Sequence, residues 1–107
     1  MQKRIYLLST LLPILGFLFT PPALSAEADL VKAEKVYKRS CATCHGKQGE
    51  KPAMGESKII NQLKPEEIST ALSERKAGNI TSAGSPAKQR LSEQDIHNLS
   101  EYIQTLK

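Results

Sequence analysis

The 107-residue chain has no tryptophan, two phenylalanines and three tyrosines. Even these few aromatics are unevenly placed, since Tyr6, Phe17 and Phe19 fall in one N-terminal apolar stretch and only Tyr37 and Tyr102 lie beyond it. A domain of about this size buries a modest fraction of its surface and is marginal even with a good core. Without large side chains its centre calls for something else to fill it. There are two cysteines, Cys41 and Cys44, three positions apart. That spacing excludes the long-range disulfide that often staples a small exported domain. A large apolar cofactor would serve instead.

The N-terminal stretch reads as a leader. Lys3 and Arg4 open it, Ile5 to Phe19 is apolar apart from Ser9, Thr10, Pro13 and Gly16, and Pro21, Pro22, Ala23, Ser25, Ala26 and Ala28 follow. Basic, apolar, then small is the layout of a secretory signal peptide. The alternative, a retained anchor, is disfavoured because the run falls short of the roughly 20 residues that span a bilayer. The expected division is a signal peptide over 1–26 and one domain over 27–107. The exact bond is left open between Ser25, Ala26 and Ala28. Losing Lys3 and Arg4 lowers the net charge from +4 to +2. So weak an excess excludes nucleic acid as the expected partner and argues against binding to an anionic membrane. No stable membrane insertion is expected after cleavage.

Beyond the leader the periodicity is helical and no strand pattern is visible. Asp29 is a plausible N-cap for a helix running to about Arg39, with Ala33, Val36 and Tyr37 on one face. Gly46 to Glu56 reads as an exposed loop. Pro65 to Lys76 predicts a second helix. Proline suits its first turn, Glu66 and Glu67 suit its positive end, Gly78 can close it, and Ile68, Ala71 and Leu72 form its apolar face. Gly78 to Gln89 reads as loop. Ser92, paired with Asp95, starts the clearest helix, whose stripe is Ile96, Leu99, Tyr102, Ile103 and Leu106. The fold class is all-α, three to four helices.

Cys41-Ala42-Thr43-Cys44-His45 is C-x-x-C-H, the pattern of c-type haem attachment. Two thiols three residues apart on a helical turn can reach the two vinyl groups of one porphyrin, and the next residue turns its imidazole to the iron. Two plainer readings compete. A thiol redox pair is expected in a βαβ context, which is missing. A zinc site needs two further ligands, and the only other histidine is His97. The expected cofactor is one haem c bound by Cys41 and Cys44, with His45 as axial iron ligand.

From Asp29 to Lys107 the chain resembles the small soluble class I cytochromes c of the periplasm. Tyr37 stands four residues before Cys41, the haem motif continues into Gly46, and Leu91 through Ile103 matches the closing helix of that family. The resemblance implies a cytochrome c fold wrapped around one covalent haem. It also implies terminal helices that cross with Tyr37 near the Leu99/Tyr102 face, and a monomeric, periplasmic, one-electron carrier that meets redox partner proteins and is not an enzyme. It further implies a methionine, as second axial ligand, in the loop before the last helix. Gly78 to Arg90 contains neither methionine nor histidine.

Four readings of the sixth position stand open. Met54 is a candidate, although the loop after His45 wraps the histidine side of the haem in this family, and a methionine packing beside the haem is the plainer reading. The site could be open or hold water. Lys88, Asn79 or another loop group could ligate weakly. His97 could bind, but its helical neighbours Glu93, Ser100, Glu101 and Gln104 place it towards solvent. An open site gives the alternative function, a haem-based binder or sensor of small ligands. The carbonyl of Pro52 is a candidate acceptor for the His45 ring, with a plain loop proline as the equal alternative. Lys32, Lys35, Lys38, Lys47, Lys51 and Lys58 read mainly as solvated surface, with docking of an acidic redox partner as the lesser reading.

Overall fold

In the computed structural model the structure describes residues 27–55 and 57–106, together with Pro13 and Gly16. The expected signal peptide, 1–26, lies almost wholly outside the described residues. Among the described residues there is no strand, and no helix is long and apolar enough to cross a membrane.

Three long helices form where the periodicity expects them: α1 (Leu30–Ser40), α3 (Pro65–Ala77) and α5 (Glu93–Ile103). Their ends show why. The Asp29 carboxylate accepts from the Lys32 N–H at 2.9 Å at the start of α1, satisfying one of the donors that a helix leaves open. At α5 the Ser92 hydroxyl accepts from the Asp95 N–H at 3.0 Å while the Asp95 carboxylate accepts from the Ser92 N–H at 2.9 Å, a reciprocal cap. At the end of α3, Gly78 takes φ +84°, the left-handed conformation that closes a helix at little cost without a side chain.

α2 (Ala42–His45), with Cys41 at its N-cap, is the helical turn expected of the haem motif, whereas α4 (Ser85–Gln89) was not expected and lies in the segment read as loop. At four and five residues neither is long enough to show a periodic face. Two 3₁₀ turns, Ala53–Gly55 and Ile60–Gln62, complete the described elements.

α1 packs on α5, α5 on α3, and α3 on α4. Ala33, Val36 and Tyr37 of α1 meet Ile96, Leu99 and Ile103 of α5, with Ile68 and Leu72 of α3 and Leu91 closing the same core. The Tyr37 and Tyr102 rings lie 5.6 Å apart, tilted at 55°, a favourable arrangement for aromatic quadrupoles. The terminal helices meet at the tyrosine, as the family resemblance implies.

One part of α5 departs from the simple stripe. Asn98 and Ser100 are buried although they are polar. The Ser100 hydroxyl donates to the Ile96 carbonyl at 2.7 Å. The Asn98 carboxamide oxygen accepts from the Asp29 N–H at 2.9 Å and from Gln94 at 2.8 Å. The bonds to its oxygen offset part of the cost of burial, while its Nδ2 is buried with no partner, and Asn98 fastens the start of α1 to the last helix.

Candidate haem-attachment site

Cys41 follows α1 directly, and its N–H donates to the Tyr37 carbonyl at 2.8 Å, so the first turn beyond the helix sets its direction. The chain then re-enters a helix. The His45 N–H donates to the Cys41 carbonyl at 3.0 Å and the Gly46 N–H to the Ala42 carbonyl at 2.8 Å. Cys41, Cys44 and His45 are thereby carried on a single turn, with both thiols free. Gly46 leaves this turn at φ +86°, a conformation that glycine adopts without strain.

Tyr37 anchors the turn from below. Its phenol, fully buried, donates to the Gly46 carbonyl at 2.6 Å. Burial, with the nearby Cys41 as a lesser contribution, raises the phenol from 10.0 to about 12. A raised folded value favours the neutral phenol, so its stabilising contribution is complete below pH 10 and is lost as the pH climbs through about 12. Tyr37→Phe keeps the ring and strands the carbonyl, so it is expected to cost about 1–3 kcal/mol. It should also flatten the fall in stability across the alkaline range, as read by guanidinium unfolding at a series of pH values.

Cys41 is half-buried while Cys44 is exposed. Burial pushes the Cys41 thiol up to about 11. A depressed thiol, the mark of an exchange-active cysteine, is not what burial gives Cys41. His45 is lowered, first by burial and then by the Lys88 and Arg75 charges, which keeps the imidazole neutral and its lone pair available to a metal. Its Nδ1 is buried with no hydrogen-bond partner. Buried polar atoms are seldom left so, and a metal-ligating histidine ordinarily gives its other ring N–H to a partner; the bond to the Pro52 carbonyl considered from the sequence is not formed. The Pro52 carbonyl accepts from the Gly55 N–H at 3.0 Å. Among the described residues no group of three or more His, Cys, Asp or Glu side chains is arranged to hold a metal ion alone. These residues fit a porphyrin that brings its own iron.

Of the remaining candidates, Met54 is 79% exposed, in the turn after the haem motif, with φ +55°. His97 is exposed on α5, beside a shallow cleft lined by Pro65, Glu66, Ser69, Ser100 and Glu101. Asn79 donates to the Glu74 carboxylate at 2.9 Å. Lys88, half-buried on α4, is near enough to Cys41 and Cys44 for their charges to act on it.

Residues 28–103 match the family model described as "Cytochrome C oxidase, cbb3-type, subunit III". The chain is 41% identical to a "Cytochrome c-553" of Helicobacter pylori, over 77% of this chain and 86% of the relative. A second H. pylori strain has a "Cytochrome c-553" that is 40% identical over 68% of this chain and 77% of its own length. "Cytochrome c-554(547)" of Halothiobacillus neapolitanus is 34% identical over 74% of this chain and 98% of its own. With an all-helical frame around the C-x-x-C-H turn and a match along nearly all of it, the chain belongs to this cytochrome c family and is a small c-type electron carrier.

Proposed function

We propose that the chain is an exported, periplasmic protein that carries one electron on a single haem c, with thioether bonds to Cys41 and Cys44 and His45 as an axial ligand. The observation that carries this reading is the single turn holding two free thiols three residues apart beside a neutral, half-buried imidazole. The haem, once bound, supplies an iron that cycles between ferric and ferrous states. The polypeptide's part is to hold and insulate. Cys41 and Cys44 keep the group in a domain too thin to enclose it by packing, and His45 directs a lone pair to the metal. The core behind Tyr37 excludes water from that side of the turn. Export accounts for the basic, apolar and small-residue order of residues 1–26, and a monomer meeting redox partners suits the size of the domain. The ligand-binding alternative gains nothing from the relatives, whose names are those of cytochromes.

The test is production in a host that attaches haem to exported chains. The periplasmic fraction should yield a red protein whose haem survives acidified-solvent extraction and whose denatured mass equals residues 27–107 plus one haem. A colourless product with thiols free or joined to each other overturns the proposal.

A further inference from the structure

We propose that Tyr37 is a positioning residue for the axial imidazole: its hydroxyl, acting through the Gly46 carbonyl, fixes the plane in which His45 meets the iron. The inference deepens the haem attachment proposed above and rests on it. The turn that carries Cys41, Cys44 and His45 is closed by the His45 N–H on the Cys41 carbonyl at 3.0 Å and the Gly46 N–H on the Ala42 carbonyl at 2.8 Å. A single turn is marginal by itself, because it fixes several dihedrals for each bond it gains. Its direction has to be set from outside.

The outside contacts fall on the chain as it leaves His45. The His45 carbonyl accepts from the Lys51 N–H at 3.0 Å. The Gly46 carbonyl accepts from the Tyr37 hydroxyl at 2.6 Å and from the Gly49 N–H at 3.3 Å. Gly49 and Lys51 are local partners, in the loop that begins at Gly46. Tyr37 belongs instead to α1, fully buried, in one cluster with Ala33 and Val36 of its own helix and Ile96, Leu99 and Ile103 of α5. Its bond therefore refers the turn to the helical core. The imidazole has little else to orient it. A ligating histidine is ordinarily directed through its second nitrogen, and the Nδ1 of His45 is buried without a hydrogen-bond partner. The backbone that carries the ring takes over that task. A ring held by packed neighbours keeps one ligand geometry in the ferric and ferrous states, which suits a one-electron carrier.

The test uses Tyr37→Phe, which removes the hydroxyl and keeps the ring. Val36→Ala and Ile103→Val are the controls, since both residues are buried in the same core and neither bonds to the turn. Covalent haem in the parent and each variant is first verified by mass, and the ferric holoproteins are saturated with cyanide. Cyanide is linear and imposes no plane, so the spread of the haem ring-methyl proton shifts reports the plane of His45. The parent and both controls should show the same wide spread. Tyr37→Phe should narrow it, as the ring samples several planes. An unchanged spread in Tyr37→Phe, a narrow one in the parent, or equal narrowing in either control overturns the proposal. So does loss of holoprotein in Tyr37→Phe, which would make the hydroxyl a requirement of folding rather than of ring position. A parent without covalent haem defeats the attachment proposal itself, which separates the two failures.

Discussion

Cys44→Ala and His45→Ala are each expected to abolish stable folded holoprotein, measured as loss of haem-stained product and of a cooperative thermal transition by circular dichroism. The reason lies in the polypeptide core. Among the described residues nine apolar ones are buried, and Tyr37 is the one aromatic among them. Of the four largest fully buried side chains one is an asparagine. So thin an apolar core leaves a domain of this size short of stability unless a large apolar group is added. Binding free energy is then folding free energy, as in small metal-dependent domains. A cooperative transition in the haem-free His45→Ala chain would defeat the expectation.

Leu99→Ala should have the next largest effect, a loss of about 3 kcal/mol from a large-to-small change in a packed core. Leu99 is 1% exposed, in the α5 face that meets α1 and Tyr37. At about 4–8 °C per kcal/mol for a domain this small, the transition of the holoprotein should fall by roughly 12–24 °C. Val31→Ala on α1 is the control. Val31 is 66% exposed, and its change should stay within about 0.5 kcal/mol. Guanidinium unfolding of ferric protein, followed by haem absorbance, reads both. A Leu99→Ala protein as stable as the control would mean that α1 and α5 do not share the core described.

The long helices were legible because each has a cap and at least three turns of pattern. Asp29, Pro65, Gly78 and the Ser92–Asp95 pair mark ends that the backbone then uses. The apolar faces follow from spacing, and Ala33, Val36 and Tyr37 are all buried. α4 was not legible, since five residues carry no period. Nor could spacing reveal that Asn98 is buried, because its burial depends on the Asp29 N–H, a partner 69 residues away. The C-x-x-C-H motif gave the chemistry of the site directly. The electrostatic setting of His45 did not follow from the motif, because Lys88 and Arg75 reach it only through the packing of α4 and α3.

The stretch from Gly49 to Asn61 is tied at its base. The Asn61 N–H donates to the Gly49 carbonyl at 3.2 Å, and the Asn61 side chain donates to the Gln48 carbonyl at 3.0 Å. At Gly49, with φ +67°, an added Cβ would lie 3.0 Å from the Ile60 side chain, so the two ends of the stretch pack closely. A stretch drawn together at its root transmits little of what happens at its tip. Closing a longer loop costs only about 0.6 kcal/mol for each doubling of length. Lineages of this fold can therefore vary the length and charge near Met54, and with them the face shown to a partner, while the turn bearing His45 stays where it is.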